Sequence, residues 1–523
     1  MAASLEKEYQ HFIPQFLLRN FSHPYNPENG TGGRRQRRRN KQSGPKYEKG
    51  MFPGDPVVRC VDLLTDPPVI RERPVKHVLG MTNMYNDTTK PTGQQREVET
   101  LLSQLEARAS QIFRKMTMAF EKKEAGVWLT RTERDLLRKF LFMQLYRASG
   151  FHKRFCHDSP EDYNENDKVL FREYMAEHGY KRPMDVWLHS IKTIIQLKMD
   201  PEKKWMTELH ERMYPGDAVW FIGHVQFYYT AICTPSHADQ EFILTSNGFG
   251  VFEGSNRFVR DYDTGEVGCA GHTPLHYFAP VSPKLMIILR ARTFPEVIKH
   301  ADDEARALWE EQRRLALGVT IGYDGLLADL PVEMPENNYT TVGTDGRLYG
   351  SDGEYWRPRS DHRFCLRLFE IGSEHVNRIN AILLDNCWGV DPSTAVVFDS
   401  HEAFVKTLEW YLTAPCDIGK VIQGVGADVR ESALMKLEAL SRSLGSQKTT
   451  EWVKRREPTM HNYEGYVQSY IDRYRALHKM AAKSEDGGGE ALEETIPPEP
   501  GSAHHIYLNL LGKLSLFFSD CLL

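Results

Sequence analysis

His11-Phe12-Ile13-Pro14-Gln15-Phe16-Leu17-Leu18-Arg19-Asn20-Phe21 is the stretch on which the reading of this chain turns. Proline has a fixed φ and no N–H, so Pro14 suits the first position of a helix. The turn-forming His23-Pro24-Tyr25-Asn26-Pro27 ends that helix after about two turns. Six of the eleven residues are large and apolar, and an isolated helix this short is marginal in water. The segment must therefore dock as a wedge on something larger. Docking would bury the stem of Arg19 and set His11 at the helix entrance.

The rest of the chain is long enough to receive such a wedge. Its 523 residues allow two to four domain-sized units at roughly 150 residues each. A 41% hydrophobic and 11% aromatic content supplies real cores and excludes a disordered chain. Eight cysteines lie scattered without close pairs, and Met-Ala-Ala-Ser-Leu-Glu-Lys-Glu has no apolar signal core. Both features point to free thiols and an intracellular setting, cytoplasmic or nuclear. No apolar run reaches the ~20 residues a membrane span requires.

Charge is distributed unevenly. Arg34, Arg35, Arg37, Arg38, Arg39 and Lys41 carry +6 in a chain of net charge −5, so everything else is net −11. That acidic body argues against a broad nucleic-acid surface. The basic stretch itself reads as a solvated loop over 30–50. Its functional reading is contact with an import receptor or RNA, because clustered arginines fork onto phosphates.

Taken in order, the pattern predicts strands at Pro56–Leu63 and Val69–Val78 around the Asp66-Pro67-Pro68 turn. Val98, Leu101, Leu105, Ala109, Ile112 and Met116 form one face of a long helix within 94–124. Thr130 and Glu133 make a capping box that opens a helix running to about Ser149. Helical pieces fill 161–213, and Asp217 caps an all-round apolar helix over Ala218–Cys233. Glu241–Thr245, Phe249–Glu253, Met286–Arg290, Arg363–Ile371 and Ala395–Phe398 read as strands. Phe294–Leu317, His375–Cys387, Ser400–Leu412 and Asp428–Lys483 read as helices.

These elements imply an α+β protein, mostly helical, with a small mixed β-sheet. Residues 1–29 and 51–320 form the core domain, and 321–361 a surface insertion. A helical region over 362–482 packs on that core. A flexible linker, 483–503, leads to an amphipathic end, 504–523.

The motif His11-x-x-Pro14-Gln15-Phe16-x-Leu18-Arg19-x-Phe21 resembles the opening of a family, the domain of unknown function catalogued as four-two-three-eight. Met84-Tyr85, the Glu97–Met116 helix, Phe140–Arg147, Phe242–Asn247 and Ala279–Pro283 are similar to its later segments, in order. The chain departs at Asn247, where the family has Asp, and at Gly248-Phe249, where Pro often follows. The resemblance implies a domain boundary and an intracellular placement, and it carries no activity.

Candidate sites come from polar residues on apolar faces. Gln144 sits mid-stripe with Arg147 at its edge, and leaving such groups buried and unpaired costs roughly 1–3 kcal/mol each. With His11 and Arg19 they can line a pocket for an anionic or phosphate-bearing ligand. His11, Arg19 and Arg147 are then the catalytic candidates, and Gln144, Thr245, Ser246, Asn247 and Glu253 the binding ones. The structural reading pairs the two arginines with acidic residues and uses Gln144 as a tie.

Cys269, His272 and His276 have metal-like intervals but no evident fourth ligand, so no metal is expected. His224 reads as a core histidine. No Gly-rich phosphate loop or nucleophile elbow occurs, and no cofactor is expected. Two functions follow: an interaction or regulatory protein with a structural polar cluster, or a hydrolase or nuclease-like enzyme. The first buries and satisfies these residues; the second arranges them around an open cleft.

Overall fold

The computed structural model describes residues 8–27, 51–165, 167–260, 267–292, 294, 307, 325–342, 348–350, 359–416, 419–422, 427–448 and 450–454. The basic loop, most of the helix expected over 294–317, the linker and the amphipathic end lie outside them. Side chains of 255–273 are likewise undescribed, including Cys269 and His272.

The chain opens with β1 (Tyr9–His11), α1 (Gln15–Arg19) and β2 (Ser22–Pro24). Pro14 does not enter the helix as its first residue. It precedes α1 as the N-cap, with extended backbone at φ −56° and ψ 139°. The hairpin β3 (Pro56–Asp62) and β4 (Val69–Pro74) forms as its turn chemistry dictates. A short β5 (Gly80–Thr82) pairs with β1.

The helical layer follows. α2 (Glu97–Glu121) buries Val98, Leu102, Leu105, Ala109, Ile112 and Met116, so Leu102 takes the place expected for Leu101. After β6 (Gly126–Thr130), the Thr130–Glu133 capping box opens α3 (Arg131–Tyr146). α3 stops three residues before the expected end, because Ala148 turns extended (ψ 146°) and caps α4 (Ser149–Phe155). α5 (Lys168–His178), α6 (Pro183–Gln196), α7 (Trp205–Arg212) and α8 (Pro215–Gln226) complete the layer.

Two sequence expectations fail at α8. Tyr214 is the cap and Pro215 the first residue, so Asp217 lies inside the first turn. The helix also ends at Gln226, and Tyr228–Pro235 is a strand, β7. β7 pairs with a strand on each side and is buried along nearly all its length. A strand buried this way reads as a continuous apolar run, which periodicity cannot tell from a buried helix.

β8 (Leu244–Thr245), β9 (Phe252–Arg260), β10 (Val267–Ser282) and β11 (Leu285–Ala291) come next. β12 (Glu336–Asn337), β13 (Thr340–Val342), β14 (Leu348–Gly350) and β15 (Arg363–Ile371) follow. α9 (Ser373–Asp385), β16 (Val396–Phe398), α10 (His401–Thr413), β17 (Val421–Ile422), α11 (Ala427–Ser443) and β18 (Val453–Lys454) close the described chain.

Where one small sheet was expected, the strands divide between two. A seven-stranded sheet runs β12-β15-β7-β11-β10-β9, with β6 also on β15; a five-stranded one runs β2-β3-β16-β8, with β4 on β3. β7 and β15 pair in parallel, so the larger sheet is mixed. The α+β class stands, with eleven α-helices among the described residues.

The cores follow this division. One unites the wedge with α2 to α8. The other lies under α9 to α11 and takes in Leu327 and Leu330, from the stretch expected to be a surface insertion. Among the described residues no helix is long and apolar enough to cross a membrane.

Candidate functional site

The wedge docks as its apolar content requires. Leu17, Leu18 and Phe21 are fully buried. Phe16 meets Phe113 of α2 and Phe140 of α3 at 5.5 and 5.7 Å between ring centroids. The N–H groups of Phe12 and Ile13 donate to the Leu79 carbonyl, and the Asn20 amide donates to the Val281 carbonyl at 2.8 Å. Burying Leu17, Leu18 and Phe21 contributes roughly 1.5–3 kcal/mol each before chain entropy is subtracted.

His11 leads off this wedge. Its Nε2 lies 3.1 Å from the Val75 carbonyl, and its Nδ1 lies 3.4 Å from the Gln15 amide nitrogen. One neutral tautomer satisfies both contacts, with Nε2–H donating and Nδ1 accepting. Burial, against the Val75 hydrogen bond, holds its pKa below the usual histidine value, and the Arg147 charge pushes the same way.

Arg19 behaves differently from its expectation. It is exposed, with its guanidinium 3.5 Å from the Gln15 side-chain oxygen. Four residues on from Gln15, it falls on the solvent side of a short helix whose opposite side carries Leu17 and Leu18. The buried stem predicted for Arg19 is thereby corrected.

Arg147 is the cation that is buried, at 1% exposure. Just past the end of α3, it pairs with Glu106 of α2 at 2.6 Å and donates to the Gln144 carbonyl oxygen at 3.2 Å. Among the described residues the Gln144 amide nitrogen and Arg147 Nε have no hydrogen-bond partner. Tyr85, stacked on Trp187 at 5.8 Å, adjoins this group, and burial drives its phenol pKa up. On α2, burial lifts Glu99 to about 7; Arg147 opposes the rise and Glu106 adds to it.

The Thr245-Ser246-Asn247 turn closes against the wedge. A Cβ on Gly248 would meet Ile13 Cδ1 at 3.1 Å, and one on Gly250 would meet the Ala148 methyl at 4.0 Å. The turn is stitched to the segment before β16. Ser246 N donates to the Ala395 carbonyl at 3.0 Å, Ser246 Oγ accepts from Asp391 N at 3.3 Å, and the Asn247 amide donates to the Asn386 carbonyl. Thr245 Oγ1 is buried without a partner among the described residues.

Gly248 has φ +55°, a conformation that costs an L-residue about 1–2 kcal/mol. Gly248→Ala should therefore lower stability by about 1–3 kcal/mol, from backbone strain plus crowding of Ile13. Chemical denaturation measures it, and an unchanged midpoint would refute the tight approach of turn to wedge.

The structure thus gathers His11, Gln144 and Arg147, lays the 245–247 turn beside them, and leaves Arg19 on the surface. Glu253 belongs to a different pair. It lies near the start of β9 opposite His276 of β10, and its Oε2 lies 2.8 Å from His276 Nδ1. Leu326 N donates to the other carboxylate oxygen at 2.7 Å. Both side chains are buried, and His276 Nε2 has no partner among the described residues. Burial keeps the imidazole pKa low even though the carboxylate raises it. No pattern within either strand announces this pair, and the metal-like spacing of His276 drew attention elsewhere.

Sequence reading also missed a buried network beneath α3 to α8. Arg154 and the Tyr163 and Tyr214 hydroxyls all donate to Asp167, at 2.7–2.9 Å. Tyr146 donates to Asp217 at 2.5 Å. His224 is buried against Phe142 and Tyr277, each at 5.5 Å. No group of three or more potential metal ligands occurs among the described residues. A surface pocket of about 320 Å³, bordered by Asp239, Glu241, Lys406 and Trp410, contains none of the predicted site residues.

Comparison with curated proteins and with solved structures gives no match. One family model does match, across residues 9–402, and its span begins inside β1 and covers the wedge, both sheets and the 245–247 turn. The chain belongs to the family described as "Protein of unknown function (DUF4238)".

Proposed function

We propose that this chain is an interaction or regulatory protein whose polar cluster fastens the wedge to the helical layer. One observation carries this reading: the Arg147 charge is taken up by Glu106 at 2.6 Å. A guanidinium engaged by an internal carboxylate has little left for a substrate. Both His11 nitrogens face internal partners as well, and a proton shuttle needs one free.

A second reading, a hydrolase acting on a phosphate-bearing or other anionic substrate, draws on a different pair. A carboxylate that fixes one imidazole nitrogen and leaves the other without a partner is the arrangement of a base and its orienting group. Glu253 and His276 have that form.

Hydrolysis of p-nitrophenyl phosphate mono- and diesters by wild type, His11→Gln and His276→Gln separates the readings. The interaction reading expects background rates in all three. A catalysed rate lost by at least about 100-fold in His276→Gln, with the fold intact, would support the hydrolase. The same loss in His11→Gln would overturn the structural role of the wedge.

A further inference from the structure

The surface cavity of about 320 Å³ is bounded by three pieces of chain. α9 brings Ser373 and Asn377 to it, and α10 brings Lys406, Thr407 and Trp410. These residues are three or four positions apart on each helix, so each set is one helix face. The third wall is the loop between β7 and β8, over residues 237–241.

That loop is pinned from several sides. The Ser236 N–H donates to the Ile371 carbonyl at 3.0 Å. Lys284 Nζ donates to the Ala238 and Gln240 carbonyls at 2.7 and 2.6 Å. Asn380, fully buried on α9, donates to the Glu241 carbonyl at 2.8 Å and accepts from the Ile243 N–H at 3.2 Å. A wall held this way needs little ordering when a ligand enters.

Asp239, Glu241 and Lys406 border the cavity, and each has an internal partner. Lys406 reaches Asp239 at 3.2 Å and Glu402 at 3.0 Å. One Glu241 oxygen accepts from the Ser400 N–H at 2.9 Å, and the other faces Lys284 at 3.5 Å.

The groups left open are neutral. Thr407 is only 7% exposed and lines the cavity, yet its hydroxyl makes no hydrogen bond among the described residues. A helical threonine can satisfy its hydroxyl on the carbonyl one turn back, and Thr413 of the same helix does so on Glu409 at 2.9 Å. Asn377 likewise makes no side-chain hydrogen bond among the described residues, and Gln240 has a buried side-chain oxygen without a partner among them. Trp410, half-buried against the second core, adds apolar ring surface beside these groups.

Hydroxyls and side-chain amides both donate and accept, which matches ligand hydroxyls that do the same. A volume near the low end of the roughly 300–1,000 Å³ of ligand pockets suits one ring and not a chain. We propose that this cavity binds a small neutral polyhydroxy ligand, a single sugar ring, through Thr407, Asn377 and Gln240, with Trp410 against its C–H groups. A charged ligand fits less well, because it would have to displace the ion pairs that already occupy Asp239, Glu241 and Lys406. The site lies on the second core, whereas the wedge belongs to the first, and it goes beyond the proposed function.

Isothermal titration of the full chain with glucose, galactose, mannose and ribose tests this. Wild type should bind at least one of them saturably. Thr407→Val keeps the branched shape without the hydroxyl and should weaken that binding at least about tenfold. Asn377→Ala should weaken it as well. Thr407→Val should melt at or above the wild-type temperature without sugar, since it loses no internal hydrogen bond. Four sugars that all fail to bind, or a Thr407→Val protein that binds as tightly as wild type, would overturn the site. Tighter binding of inorganic phosphate, of spermidine or of adenine than of any sugar would overturn the assignment to a neutral polyhydroxy ligand. If Thr407→Val fails to fold, Asn377→Ala decides between the same outcomes.

Discussion

Arg147→Ala should cost the protein about 3–5 kcal/mol, the usual penalty for removing one partner of a buried ion pair. On a thermal melt this is a fall on the order of 10 °C. The loss arises because a nearly fully buried side chain is truncated and Glu106 of α2 loses the guanidinium 2.6 Å away. Gln144 loses the hydrogen bond from Arg147 to its side-chain oxygen at the same time. Arg19→Ala should stay within about 0.5 kcal/mol of wild type, as an exposed surface change does. The double variant Glu106→Gln/Arg147→Met should recover part of the single-variant loss, since methionine refills the buried space and no half-buried charge is left unpaired. An Arg147→Ala protein that melts with wild type would remove the basis for a structural cluster.

Asp217→Asn should stabilise the protein above pH 7 by up to roughly 3 kcal/mol. Asp217 is buried, and burial raises its carboxyl to about 6; Arg154 and the Tyr146 hydroxyl oppose that rise. A raised carboxyl pKa means that the native state holds the proton more tightly than the unfolded chain does. The contribution is therefore complete below the ordinary value of 3.8. It declines as pH rises and is gone above about 6. Asparagine keeps an acceptor for Tyr146 and has no charge to bury. Denaturant midpoints from pH 4 to 8 should show the wild-type decline flattened in Asp217→Asn. Parallel curves for the two proteins would show that Asp217 is already accommodated as an anion.

Local chemistry explains which elements were legible beforehand. The Thr130–Glu133 box, the β3–β4 hairpin and β15 needed only caps, turns and period, and each lies where those signals put it. β7 was misread because a strand buried on both faces has no polar alternation to display. Arg19 was misjudged because a five-residue helix has too few positions for its faces to be read. The Glu253–His276 pair depended on a strand register that nothing within either strand specifies. Asp217 was taken for a cap because Asp is a common one, while Pro215 had already started the helix.

By itself the amino-acid sequence determined the α+β class, the wedge that must dock, and the positions of Gln144 and Arg147 on a buried face. Those follow from hydrophobic period and proline chemistry, which act within a few residues. Tertiary structure alone decided that Arg147 meets Glu106 and that Glu253 meets His276. These are long-range pairings across helices or between strands, and their energies depend on distance and burial that no local pattern encodes.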